Sequence, residues 1–274
     1  MPRLSDLIPP IIYRFLKKKN TAERKVLPEY ASFAEAVENG DYHSHKIARV
    51  VRLKTERYIR NLEKSLKDKQ EIQNLFVVGY IINNIGCSKI SFTDIGGACG
   101  AYFFLTSRYY QEHILNWRVV ETEEMVDEAS PSFADGVLIF SKENEISIED
   151  RSVCILQGVL QYFSDPLGYL NEILKMGYKY IYISRLPVTV DQGKSIITLH
   201  ESRLIDHGPG NLDGVQDESV RIAYTILDKK SLFNCIKESG YNFDIVFQES
   251  DKYSLPFKSN DILIENIGFL ISKN

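Results

Sequence analysis

In this sequence of 274 residues, Asp94, Gly96, Gly97, Gly100 and Glu121 have the types and spacing that carry chemistry. The first four stand in DIGGACG (94–100), and Glu121 ends the apolar run WRVVE (117–121). Glycines this close together let the chain turn sharply and approach a ligand that a Cβ would repel. A helix starting just after them points its positive end and free N–H groups at that ligand. Asp94 favours a ligand carrying an ammonium group and would repel a pyrophosphate. Glu121 stands where a strand-end carboxylate accepts both hydroxyls of a ribose. Together these residues describe a cationic amino acid that bears a nucleoside, which is S-adenosylmethionine. Two other readings stay open: a structural glycine turn, and a nicotinamide-dependent enzyme whose ribose acid would occupy the same strand end. The glycine spacing is not GxGxxG, which disfavours the second.

Further candidates lie downstream. Gln157 and Gly158 follow the fourth strand-like run, at the lip where the reactive end of such a ligand would lie, and join the cofactor set. Tyr162 lines an acceptor pocket, contacts the ligand, or is a packed aromatic at a helix start. Ser164, Asp165 and Pro166 read as a helix N-terminus, a cap followed by proline in the first turn. Arg185 either clamps an anionic acceptor group, a uronate or phosphate, or sits in a structural ion pair. The segment 188–224 reads as a long loop insertion holding His200, Glu201, Asp206 and His207, with His200 and His207 as candidate general bases. These side chains lack a metal-ligand spacing, so no metal is expected. His43, His45 and His113 read as surface or packing residues, and Trp117 as packing between helix and sheet.

The elements that must position these groups follow from periodicity. Seven short apolar runs read as strands: 89–94, 117–121, 137–140, 152–156, 180–184, 243–247 and 268–272. Helices are expected near 101–114, 166–176 and 229–239. Strands alternating with helices predict an α/β, Rossmann-like doubly wound sheet with ligands at the carboxyl ends of its strands. The last two runs have only a loop between them, which predicts an antiparallel hairpin at one edge and six parallel strands to one antiparallel. Residues 1–75 lack strand alternation and read as an N-terminal helical cap on a domain of residues 76–274. Within the cap, Ser32 and Glu35 form a capping box ahead of a short helix ending at Gly40, and residues 45–68 read as one long amphipathic helix.

A composition of 44% hydrophobic and 26% charged residues excludes disordered and collagen-like classes. Cys87, Cys99, Cys154 and Cys235 form no CxxC pair and read as reduced thiols of a cytoplasmic protein. No apolar run reaches the length of about 18 residues needed to span a bilayer. The net charge is −4, yet the first 25 residues hold seven basic and two acidic side chains. A terminal apolar face beside Lys17, Lys18 and Lys19 predicts either peripheral contact with the inner face of the membrane or an ordinary packed helix with solvated lysines. A nucleic-acid partner is not expected from the acidic remainder.

The sequence resembles the class I S-adenosylmethionine-dependent methyltransferases. More narrowly, it resembles bacterial methyltransferases associated with surface-polysaccharide biosynthesis. YASFAEAV (30–37), DIGGACG, WRVVE, GVLQYFSDP (158–166) and SRLP (184–187) carry the likeness. It implies a seven-stranded methyltransferase sheet, S-adenosylmethionine as cofactor, and methylation of an oxygen on a glycan or nucleotide-sugar. Two positions depart from the pattern: Ala98 where the class has glycine, and Ser184 where the family tends to have Asp. A non-catalytic binding or assembly module that keeps the fold is the alternative that Ser184 raises, and an NAD(P)-dependent sugar-modifying enzyme is a further one.

Overall fold

A computed structural model describes residues 26–41, 44–62, 68–142, 152–190, 192–210, 212, 214 and 217–273. The basic first 25 residues, on which the membrane contact was placed, and His43 lie outside the described residues.

Among the described residues the first helix is α1 (Phe33–Glu38), whose N-cap Ser32 accepts the Glu35 N–H at 3.2 Å. Glu35 reaches back to the Ala31 N–H at 3.0 Å, one residue before the partner a capping box requires. In α2 (Ser44–Ile59), Ile47, Ala48, Val50 and Val51 are buried, and the helix stops well short of the 45–68 span expected. Next, α3 (Lys69–Ile85) is capped by Asp68 and ended by Gly86 in the left-handed region. It runs unbroken through residue 75, where the cap was expected to end.

The sheet contains β1 (Ile90–Ile95), β2 (Ile114–Val120), β3 (Leu138–Ser141), β4 (Val153–Gln157) and β5 (Tyr180–Thr189). After these come β6 (Ile196–Arg203), β7 (Ser219–Asp228), β8 (Tyr241–Gln248), β9 (Tyr253–Pro256) and β10 (Asp261–Lys273). The main path is β3-β2-β1-β4-β5-β10-β8, with β1 to β5 parallel and β10 antiparallel to both its neighbours. This is the expected Rossmann-like arrangement. The sheet nevertheless has ten strands rather than seven, because β9 pairs with the start of β10 and β6–β7 adds a hairpin beside the end of β5.

That hairpin corrects the reading of 188–224 as a loop. Pairing runs from Ile196↔Ile226 to Arg203↔Ser219 without a break. Ile196, Leu199, Val220, Ala223 and Ile226 are buried, but polar residues and a Gly-Pro-Gly turn between the strands mask the alternation in sequence. Sequence reading also missed α5 (Glu123–Phe133), which buries Met125, Ala129 and Phe133 at helical spacing despite Pro131 near its end.

Among the described residues the remaining longer helices are α4 (Ala101–Tyr110), α6 (Pro166–Met176) and α7 (Lys229–Glu238). Asp165 caps α6 through the Gly168 N–H, as read. Cap and sheet share one core on the first face: Ile47, Val51, Val77 and Ile81 cluster with Phe92, Phe103 and Trp117. On the opposite face Leu170, Ile173, Leu232 and Ile236 pack on Ile181, Ile183 and Phe269. Between these layers β1 is buried at all six positions, so its carboxyl end leads directly into the glycine turn. Among the described residues no helix is long and apolar enough to cross a membrane.

Candidate functional site

At the carboxyl ends of β1, β2 and β4 the chain encloses a cavity of about 820 Å³, roofed by α1, α2 and the β6–β7 hairpin. The glycine turn forms one wall. Gly96 has φ +68°, and its N–H donates to the Val120 carbonyl at 2.9 Å. A Cβ on Gly96 would lie 2.3 Å from Val159 Cγ2, so the turn packs directly on the segment after β4. Ala98, where the class pattern has glycine, adopts φ +52°, the left-handed conformation that glycine takes without strain. Its N–H donates to Glu121 Oε1 at 3.0 Å, and the Thr122 N–H donates to Oε2 at 3.0 Å. Glu121 lines the cavity. Burial pushes its pKa up, while these two backbone donors pull it down.

Asp94 occupies a different position from the one its spacing suggested. It is only 2% exposed and lies behind the turn, where a Cβ on Gly97 would come within 2.5 Å of its carboxylate. Trp117 does pack between helix and sheet, stacked on Phe92, but its Nε1 also donates to Asp94 Oδ2 at 3.2 Å. Burial raises the Asp94 pKa to about 7, with the Trp117 bond opposing, Glu121 adding to the rise and Arg185 opposing. Gly97 and Gly100 share the supporting role: Gly100 ends the turn at φ +74° and opens α4.

Across the cavity, Gln157 ends β4 and donates through Nε2 to Asn74 Oδ1 at 2.7 Å. Tyr182 also donates to that oxygen, at 3.0 Å. Asn74, buried on α3, gave no sequence signal, because one amide in the run NLFVV looks like a solvent-facing position. Gly158 follows with φ +63° and donates its N–H to the Ser184 carbonyl at 2.8 Å.

Tyr162, His200 and Tyr224 form an aromatic cluster. The Tyr162 hydroxyl is 2.8 Å from His200 Nδ1, and Tyr224 packs on both rings at 5.5 and 5.3 Å between centroids. His200 is therefore a strand residue of β6, not a loop residue. Burial lowers its pKa, against an opposing pull from Asp206. His207, with Nε2 3.0 Å from Ser202 Oγ, is lowered by burial, by His200 and by Lys54, with Asp206 opposing. Lys54, 2% exposed on α2, donates to the Ile205 carbonyl at 2.7 Å and so holds the turn that carries Asp206 and His207.

Arg185 also lines the cavity. Its backbone is left-handed, φ +54°, and its side chain is exposed. Its N–H donates to Glu249 Oε2 at 2.6 Å and its Nη2 to the Gln157 carbonyl at 2.8 Å.

The structure thus brings Gly96, Glu121, Gln157, Gly158, Tyr162, Arg185, His200 and His207 to one cavity, with Asp94, Gly97 and Gly100 supporting it from behind. Phe33, Val37, Ile47, Val51 and Met125 were missed as lining residues. On an amphipathic helix, an apolar side chain facing a cavity reads the same as one facing the core. His45 is exposed, and His113 sits beside Glu112 at 3.5 Å, both away from the site. Among the described residues no group of three His, Cys, Asp or Glu side chains could hold a metal ion.

No protein-family model matches the chain, and no curated protein sequence does. Several solved structures superpose on it. An S-adenosylmethionine-dependent methyltransferase from Clostridium acetobutylicum is 11% identical over 80% of this chain and 98% of its own, with a TM-score of 0.49. The magnesium protoporphyrin IX methyltransferase of Synechocystis is 10% identical over 77% and 83%, TM-score 0.43. An amino pentose methyltransferase from Micromonospora echinaspora is 8% identical over 76% and 95%, TM-score 0.44.

Proposed function

We propose that the cavity binds S-adenosylmethionine and that the protein transfers its methyl group to a hydroxyl of a glycan or nucleotide-sugar acceptor. One observation carries the cofactor assignment: Glu121 faces the cavity from the end of β2 and is fastened to the glycine turn through Ala98. A carboxylate has about four acceptor sites, so two backbone donors leave about two for a ribose diol. Ile95, Val120 and Met125 flank Glu121 with apolar surface suited to a purine ring. A volume of about 820 Å³ has room for such a ligand and a second small molecule.

Bound there, S-adenosylmethionine supplies a methyl group on a positively charged sulfur. The protein's share is positioning and proton handling. Burial holds His200 neutral near pH 7. In the tautomer whose Nδ1–H donates to the Tyr162 oxygen, Nε2 is free to take the proton of an acceptor hydroxyl as attack proceeds. His207 stands in the same wall as a second base, and Tyr162 and Arg185 face the acceptor side.

Binding of S-adenosylhomocysteine tests the assignment. At 100 times its Kd the ligand stabilises the protein by about 2.7 kcal/mol, with NAD(P) as the comparison. Loss of this charged acceptor in Glu121→Ala is expected to weaken binding by about 10- to 100-fold. An unchanged Kd in that variant, or stabilisation by NAD(P) alone, would refute the reading. With a panel of nucleotide-sugars, kcat/KM is expected to rise with pH through a pKa below 6.5 and then level off. His200→Ala should remove that acid limb.

A further inference from the structure

We infer that Arg185 is built to receive an anionic group on the acceptor, a carboxylate or phosphate, and that Glu249 is the positioning residue that holds it there. This rests on the methyl-transfer reading of the cavity and narrows its substrate class.

Four observations converge. First, among the described residues the Arg185 guanidinium makes no ion pair, which removes the structural alternative its sequence left open; Nη2 alone is engaged, by the Gln157 carbonyl. A guanidinium has five donors arranged to meet a carboxylate or phosphate edge-on, so most of its capacity faces the cavity. Second, the acid in contact with Arg185 does not neutralise it. Glu249 Oε2 accepts the backbone N–H instead, and its Oε1 accepts from Gln73 Nε2 at 2.7 Å.

Third, the Arg185 backbone is left-handed, which costs a long side chain energy and persists only where neighbours enforce it. The Glu249 bond to the peptide N–H is that enforcement. Fourth, two glycines make room. A Cβ on Gly158 would stand 3.1–3.3 Å from the guanidinium, and one on Gly268 would stand 2.4 Å from Glu249 Oε1. The left-handed residue within β5 swings the guanidinium over Gly158, at the lip that also carries Gln157 and the 3-10 turn of Tyr162. Asp94 and Glu71 feel its charge, yet neither contacts it.

An anion in the cavity has two sources, the acceptor and the amino-acid tail of the cofactor, and the experiment separates them. Full-length protein saturated with S-adenosylhomocysteine is titrated with uridine diphosphate, glucuronate and, as a neutral control, glucose. The wild type is expected to bind the two anions and not glucose. Arg185→Gln should lose about 10-fold or more in anion affinity, with Arg185→Lys intermediate because its ammonium supplies charge without the planar fork. Glu249→Ala should lower anion affinity several-fold and Glu249→Gln, which keeps an oxygen acceptor for the Arg185 N–H, should retain most of it, while the Kd for S-adenosylhomocysteine stays within two-fold in both, a readout that also certifies folding.

In parallel, each variant is titrated with S-adenosylhomocysteine and with 5′-methylthioadenosine, which lacks the carboxylate. If Arg185→Gln weakens the first and spares the second, the anion is the cofactor's own and the proposal falls. It also falls if the wild type binds no anionic probe, binds glucose equally, or if Arg185→Gln binds the anions unchanged. Failure of the wild type to bind S-adenosylhomocysteine would count against the cofactor reading alone, since the anion titrations can be run on the unliganded protein.

Discussion

Asp94 shows how far a residue type can be read and where burial takes over. Its spacing from the glycines marked it as a partner for a cation, and the structure places it behind the turn. There it does not line the cavity, and its charge is coupled to two residues that do, Glu121 and Arg185. Its pKa, raised to about 7, gives a testable sign. A folded-state value above the unfolded one near 3.8 means the folded protein holds the proton more tightly. The associated stability is present below about pH 4 and is lost as pH rises through about 7. Asp94→Asn keeps an acceptor for Trp117, so it is expected to raise Tm at pH 8 and leave it little changed at pH 4, by calorimetry. For a cationic ligand the sign reverses: the wild-type Kd for S-adenosylmethionine, which carries the sulfonium charge, should tighten with pH up to about 7 and then flatten, and Asp94→Asn should abolish that slope. Arg185 provides a second test at this scale. Left-handed backbone costs an L-residue about 1–2 kcal/mol, so Arg185→Gly should be more stable than Arg185→Ala despite glycine's larger unfolded-state entropy. Equal melting temperatures would show that φ +54° carries no strain.

At the scale of elements, the glycine turn and the segment after β4 are one packed unit. Gly96→Ala drives a methyl into Val159, an overpacking that costs about 1–3 kcal/mol in addition to the positive φ. Val159→Gly removes both the Cγ2 and the Cβ that the new methyl would meet at 2.3 and 2.6 Å, so the two changes together should lower the denaturant midpoint by less than the sum of the single losses. Additive losses would mean the two segments are not in contact. The glycine turn was legible because glycine adopts that backbone without strain, β4 because an unbroken apolar run bounded by turn residues admits few other readings, and β1 because Ile90 and Phe92 alternate with Ser91 and Thr93. The β6–β7 hairpin was not legible: its buried positions are interspersed with His200, Glu201, Arg203 and Arg221, and pairing across 16 to 30 residues leaves no local mark.

For the whole molecule, the cap helices and the sheet share one hydrophobic core. Ile47, Val50 and Val51 are buried against the same core as Phe92 and Trp117, and burying each such side chain stabilises by about 1.5–3 kcal/mol. A chain starting at residue 76 would begin inside α3 and without those contacts. It is expected to show exposed apolar surface and no cooperative unfolding transition, whereas a sharp transition in that fragment would refute the shared core. Ion pairs also fasten the cap, Arg52 to Glu128 at 2.9 Å and Lys46 to Glu218 at 2.7 Å, but exposed pairs contribute only about 0–1 kcal/mol each.

By itself the sequence determined the Rossmann-like class, the glycine turn and the strand-end position of Glu121, because backbone freedom and hydrophobic period are local properties written residue by residue. Tertiary structure alone decided that Asp94 is buried behind the turn, that His200 meets Tyr162 from a strand 38 residues away, and that Glu249 fixes Arg185 from 64 residues away. Such contacts depend on which strand ends the sheet order brings together, and no local pattern of residue types encodes that.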